Sequence, residues 1–388
     1  MTTTQVDYSR KWFVMAAIGM ATSLETIDTS IVNLALPTLV KALYVDFALV
    51  QWVILAFVLT QATLMLAVGR LGDMLGKKPI FVAGFVISGL GALLCGLAPN
   101  IGWLIAFRVV QAVGVAMALA LIMGIATEAF PPNERGLALG AIGGVVSLGI
   151  ILGPLLGGVI LEALSWRWIF FIELPFAAIG VPVALRYLPD VRPSGRQPFD
   201  YVGAALFFVS FLAFLLATTF GQRNGYGEPA ILGLFGVAGV VFGLFIWWET
   251  RLSHPVMDLN LFRFRPFTVN LFLRLLSFVV YVGISILLPF YLVDMRGFSS
   301  TQAAYFLTAM SAAFGLTAPF AGTLADRFGA QRVVVIGLGV FVVGCLAISR
   351  LSLETSYWGL VWRTVLVGAG MGVFQSPNNS IIMGVAPR

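Results

Sequence analysis

Gly69-Arg70-Leu-Gly-Asp73-Met-Leu-Gly76-Lys77-Lys78 and, far along the same chain, Gly322-Thr-Leu-Ala-Asp326-Arg327-Phe-Gly329-Ala-Gln-Arg332 are two versions of one phrase. Each interrupts two long apolar runs with a few charges. One Gly-x-x-x-Asp would carry little weight, but a second copy at the matching place marks an internal duplication. Two more pairs keep nearly the same separation: Phe107-Arg108 with Trp362-Arg363, and Pro132 with Pro387. The phrase is not a nucleotide site, because Gly69 to Gly76 lacks the strand context and the closing Gly-Lys-Ser/Thr of a P-loop. It reads as a conformational latch. Asp73 is suited to accept from a neighbouring helix terminus, while Lys77 and Lys78 hold the headgroup side of a membrane.

That a membrane is involved follows from composition. Of 388 residues, 60% are hydrophobic and only 10% charged, with a mean hydropathy of +0.99. A soluble chain usually carries about 25% charged residues. A soluble enzyme and a disordered chain are both excluded, and the lipid bilayer is the expected partner. A β-barrel would alternate in segments of about 10 residues; here the apolar runs are much longer and unbroken, so the spans are helices. The 42 glycines and 18 prolines do not oppose this, since membrane helices tolerate both. The net charge of +6 is spread over loops, without the basic cluster and interleaved aromatics of a nucleic-acid binder. Cys95 and Cys345 sit inside apolar runs as ordinary packing residues, with neither a disulfide framework nor metal-ligand spacing. His254 lies in a polar linker. No cofactor, no metal and no enzymatic activity is expected.

Read from polar break to polar break, the candidate spans are 12–36, 48–70, 79–98, 101–126, 137–161, 168–188, 201–220, 229–248, 267–292, 300–322, 332–350 and 355–383. Each can cross roughly 30 Å of hydrocarbon. Loops on the amino-terminal side hold most of the lysines and arginines, among them Arg10, Lys11, Arg70, Lys77, Lys78, Arg135, Arg251 and Arg332. The other side has Lys41, Arg167, Arg223, Arg296 and Arg350. The bias predicts a cytoplasmic amino terminus. The repeat then divides the chain into a six-helix bundle over 1–190, a linker with two inserted spans over 191–265, and four helices of a second bundle over 266–388. An all-α plan of two six-helix bundles with two central helices is therefore expected, with the chain truncated after its twelfth span. Duplicated units are the common construction of secondary transporters, which handle substrate between them.

Ionisable residues inside the spans are the candidate functional groups, because lipid makes them expensive. Glu25 and Asp28 are three apart and share a helix face. Two carboxylates about 5–6 Å apart in low dielectric resist joint ionisation, so one holds a proton, as a proton-coupled carrier requires. The bland alternative is a structural pair satisfied by Thr22, Thr26 or Thr29. Arg108 is the natural counter-charge, and Gln111, three residues on, can share its network; otherwise the arginine bonds helix carbonyls. Arg363 is its repeat twin without an evident acid. Glu173, before Pro175, is either a cation-attracting or proton-linked residue near the outer surface or a backbone cap. Gly149, Gly153, Gly157 and Gly158 surround Pro154 in a stripe that lets another helix approach closely while the proline bends it.

These residues carry a resemblance. The chain resembles the major facilitator superfamily, and within it the fourteen-helix drug:proton antiporters of the EmrB/QacA type. The loop signature is similar to Gly69–Lys78, with a weaker copy at Gly322–Arg332. The branch's first-helix signature resembles Asp28-Thr-Ser-Ile-Val-Asn33-Leu-Ala-Leu-Pro37, its arginine signature Arg108, Gln111 and Gly114, and its antiporter signature Gly149 through Gly158. Ser165-Trp-Arg-Trp168-Ile-Phe-Phe, Phe199-Asp200-Tyr-Val-Gly203 and Leu288-Pro-Phe-Tyr-Leu292 are further marks. The resemblance implies alternating access, inward proton movement through Asp28 and Arg108, and export of small amphipathic substrates. Glu25 joins the proton-coupling set; Glu173, Gln111 and Asn33 are candidates for the substrate path. Glu173 departs from the branch, which usually has asparagine there, and an extra acid favours cationic substrates. Some relatives work with a separately encoded periplasmic adaptor. The competing readings are a dedicated exporter of one metabolite, siderophore or lipid, and a non-transporting receptor or scaffold on the same fold.

Overall fold

The computed structural model describes residues 8–131, 134–189, 200–251 and 259–385. Regular structure among them is helical throughout, with no strand. In chain order the α-helices are α1 (Lys11–Leu43), α2 (Phe47–Val50), α3 (Trp52–Leu75), α4 (Lys77–Gly96), α5 (Ile101–Ala129), α6 (Arg135–Ala163) and α7 (Trp168–Phe171). They continue with α8 (Leu174–Tyr187), α9 (Tyr201–Asn224), α10 (Pro229–Glu249), α11 (Arg265–Phe290), α12 (Ser300–Phe328), α13 (Ala330–Ile348) and α14 (Tyr357–Val385).

The breaks have local causes. The last glycine of each repeated phrase joins two helices: Gly76 between α3 and α4 with φ 96°, and Gly329 between α12 and α13 with φ 89°. Both are backbone conformations that side chains strain to adopt, which is why glycine closes both phrases. Each also donates its N–H back into the preceding helix, Gly76 to Gly72 O and Gly329 to Ala325 O. Elsewhere side chains start the helices. Asn100 accepts from Trp103 N at 3.1 Å to open α5, Asp200 from Gly203 N at 2.9 Å to open α9, and Ser299 forms a capping box with Gln302 to open α12.

Contacts divide the chain into two compact units. The first comprises Met1–Ala21, Val45–Ile142 and Phe170–Leu259; the second comprises Thr22–Tyr44, Gly143–Ile169 and Asn260–Arg388. In the first, α4 and α5 meet along a glycine seam. A Cβ on Gly84 would stand 2.7 Å from Gly114 O, and one on Gly91 would stand 2.6 Å from Gln111 N. The second repeats the device between α13 and α14, where Gly337 meets the backbone of Phe374 and Gly344 that of Val367. The duplication read from the loop phrases thus extends to how the helices pack.

The architecture expected from the sequence is corrected. Helical structure runs through α14 to Val385, so the plan of a fourteen-helix chain cut short after its twelfth span is replaced by an all-α fold whose helices continue to the end of the described residues. Among these residues ten helices, not twelve, are long and apolar enough to cross a membrane. The two lost spans are α1 and α14. Both are long helices, but Glu25 and Asp28 with their threonines dilute α1, and Arg363 with Gln375, Asn378 and Asn379 dilutes α14. Counting apolar runs and extrapolating from a repeat treats these polar helices as ordinary spans. Pro132, Pro387, His254 and Phe199 lie outside the described residues.

Candidate functional site

In the first unit a polar chain crosses the apolar interior. Arg108, about two turns into α5, is 1% exposed. Its Nε donates to Val53 O of α3 at 3.0 Å and one terminal nitrogen donates to Gln111 Oε1 at 2.9 Å. Its guanidinium lies 4.0 Å from the centre of the Phe57 ring and 5.8 Å from that of Phe170. Those ring faces favour a cation and keep lipid and water from it. Gln111, fully buried, passes the contact on: its Nε2 donates to Glu173 Oε2 at 2.8 Å, while Cys95 Sγ of α4 donates to Gln111 Oε1 at 3.6 Å. Glu173 is 1% exposed at the break between α7 and α8, and its side chain does not cap α8. Pro175 makes that break, since it cannot supply an amide to a continuous helix.

Sequence alone groups Arg108 with Gln111. It does not reveal their link to Glu173, nor the part played by Cys95, which reads there as plain packing. The arginine's repeat twin behaves similarly in the second unit. Arg363 Nε donates to Ala347 O at 3.0 Å, and its guanidinium lies 4.5 Å from the centre of the Trp362 ring.

In the second unit Asp28 is 1% exposed on α1, one helical turn from the half-buried Glu25. The glycine stripe of α6 lies against this stretch. A Cβ on Gly149 would stand 2.8 Å from Thr26 Cβ, one on Gly153 3.2 Å from Ser30 Oγ, and one on Gly157 3.2 Å from Ile31. The glycines flanking Pro154 therefore set how closely the two backbones approach. Thr26 donates to Thr22 O at 2.8 Å and Ser30 to Thr26 O at 2.7 Å, so their hydroxyl protons are spent on their own helix. Asn33 is buried farther along α1, its carbonyl oxygen without a hydrogen-bond partner among the described residues. At the end of the stripe, Gly158 meets Ala304 of α12 and accepts from Thr301 Oγ1 at 3.1 Å, and Lys41 pairs with Asp294 at 2.7 Å.

The loop phrases form contacts of their own. Lys77 pairs with Glu128 at the end of α5, and Lys11 pairs with Glu134. Gly69 lies 4.0 Å from Ala120 by its would-be Cβ, and Gly322 3.2 Å from Ser376 Oγ. Arg327 is exposed. The side chains of Asp73 and Asp326 fall outside what the structure describes. Asp28 and Arg108 belong to different units, so the structure brings Arg108, Gln111 and Glu173 together in one, and Glu25, Asp28, Asn33 and the α6 glycines together in the other.

The family described as Major Facilitator Superfamily matches residues 18–388. The riboflavin transporter RibZ of Clostridioides difficile (strain 630) is 34% identical over 380 residues, spanning 97% of this chain and 82% of that protein. The lincomycin resistance protein LmrB of Listeria innocua is 30% identical over 370 residues, spanning 95% and 79%. Among solved structures, that of the peptide transporter POT in complex with sulfate superposes with a TM-score of 0.65 at 15% identity, over 96% of this chain and 82% of that one; it shows the fold alone. With the family matched over nearly the whole length and the helices and duplicated phrases in place, the chain belongs to the Major Facilitator Superfamily and is a multi-pass membrane transporter of small molecules, not an enzyme.

Proposed function

We propose that the chain is a proton-coupled antiporter of the EmrB/QacA drug-exporter type, moving amphipathic cationic compounds out across the cytoplasmic membrane by alternating access. The observation that carries this reading is Asp28: a carboxylate 1% exposed within the 33-residue helix α1, on the stretch against which Gly149, Gly153 and Gly157 seat α6. Gaining or losing a proton there changes the charge that the buried stretch of α1 carries. Glu25, three residues away, sets a second carboxylate about one turn along the same helix. Arg108 supplies the opposite charge for the cycle, and the stripe around Pro154 keeps the helix pair tight against proton leak. The similarity to a lincomycin resistance protein supports export. A cytoplasmic amino terminus, as the lysine and arginine bias indicates, places both loop phrases on the side from which substrate is collected.

A second reading has its own observation. Similarity at 34% to a protein named a riboflavin transporter favours a carrier dedicated to one metabolite. Efflux of ethidium and of riboflavin from loaded cells, with and without a protonophore, separates the two. Protonophore-sensitive ethidium efflux supports the first reading. Riboflavin movement with ethidium retained supports the second, and ethidium efflux indifferent to the protonophore contradicts proton coupling.

A further inference from the structure

Glu173 is a carboxylate inside the span Trp168–Tyr187, and coupling through Asp28 and Arg108 makes no use of it. Its burial is as complete as that of Arg108, and Gln111 stands between the two with an amide that answers both. The carbonyl oxygen of Gln111 faces the guanidinium and its NH₂ faces the carboxylate. The flipped amide would set donor against donor and acceptor against acceptor, so the two charges fix its orientation. Charge at each end polarises the amide in the same sense, and each hydrogen bond strengthens the other. When Glu173 takes up a proton, the pull on the amide NH₂ falls, and with it the basicity of the oxygen that holds Arg108.

We propose that Glu173 is a second proton-binding group of the transport cycle, and that Gln111 is the positioning residue through which Arg108 senses the charge of Glu173. The inference rests on the proton-coupled reading above. The groups that face Gln111 include Arg108 of α5 and the Cys95 thiol of α4, while α3 contributes Val53 O and the Phe57 ring to Arg108. The remaining charges on these helices stand toward the far helix ends: Lys77 and Lys78 of α4, Arg70 and Asp73 of α3, Glu128 of α5 and Arg186 of α8. Gln111 thus links the buried carboxylate to the buried cation through one oriented amide.

Difference infrared spectroscopy of the purified full chain, titrated with acid, detects protonated carboxyl groups without any substrate. The wild type is expected to show a carboxyl band that Glu173→Gln removes and Asp28→Asn leaves in place. Gln111→Leu keeps both charges but removes the amide, and should displace the midpoint of that band by about tenfold in proton concentration, one pH unit. The pH profile of ethidium uptake into everted vesicles should move with it. Glu173→Asp should keep the band. A spectrum unchanged by Glu173→Gln overturns the proposal, as does a Gln111→Leu protein with the wild-type midpoint and pH profile. If the band is found but wild-type ethidium uptake ignores a protonophore, the proton-coupled reading fails instead, and the role of Glu173 in a cycle falls with it.

Discussion

Gly91→Ala is the smallest change that tests how the polar chain is positioned. A Cβ at Gly91 would meet Gln111 Cα at 2.5 Å, its N at 2.6 Å and its Cβ at 2.7 Å. Carbon atoms in ordinary contact stand about 3.5–4.0 Å apart, so α4 has to withdraw from α5 by about 1 Å. The obstacle is backbone within a helix and cannot swing aside, and Gly84 and Gly114 hold the same seam farther along. Overpacking of this kind costs about 1–3 kcal/mol. Alanine returns about 1 kcal/mol through its helix propensity, which decides the sign only where space is open. With three contacts at 2.5–2.7 Å, two of them backbone, the overpacking cost belongs in the upper part of that range, about 2–3 kcal/mol, and the net loss is about 1–2 kcal/mol. Gly236→Ala in α10, where a Cβ would meet nothing within 4 Å, is the matched control and should be neutral or stabilising. Thermal unfolding of both purified variants, beside the wild type, reads the difference. Because the displaced segment carries Gln111, ethidium transport should fall more in Gly91→Ala than its stability alone explains. A Gly91→Ala protein as heat-stable as the wild type refutes the seam argument.

Gly76→Ala and Gly329→Ala should each lose about 1–3 kcal/mol, because both positions hold positive-φ backbone that alanine strains to adopt; unfolding temperatures lowered in both variants check this. Arg108→Lys should abolish transport while leaving the protein inserted, since one ammonium cannot replace a planar fork that reaches both Val53 O and Gln111 Oε1; surface expression together with ethidium efflux reads both halves. Asn100→Ala should cost about 1 kcal/mol by removing the cap of α5, with transport retained, as a melt and an efflux assay on one preparation would show.

Parts of this structure are legible in the sequence for definite reasons. The repeated phrase is readable because its closing glycine has a backbone duty that no other residue performs without strain, and Gly76 and Gly329 both carry it out. Asp28 stands out because acids are scarce in apolar runs. The stripe from Gly149 to Gly158 reads as a close-approach surface, though not which residues it meets; Thr26, Ser30 and Ile31 emerge only once helix rotation is known. The bond from Gln111 to Glu173 is hidden for the same reason, joining residues far apart in sequence through the turn at Pro175. Counting apolar runs admits α1 and α14 as ordinary spans, although their polar residues leave both less apolar than the ten helices able to cross a membrane.

The central claim, that a proton on Asp28 drives outward transport, is tested most directly in everted membrane vesicles acidified inside by respiration. Wild-type vesicles should accumulate ethidium, lose it when a protonophore is added, and show no accumulation when the chain carries Asp28→Asn at equal protein level. Accumulation by the Asp28→Asn protein at the wild-type rate, still abolished by the protonophore, would contradict it.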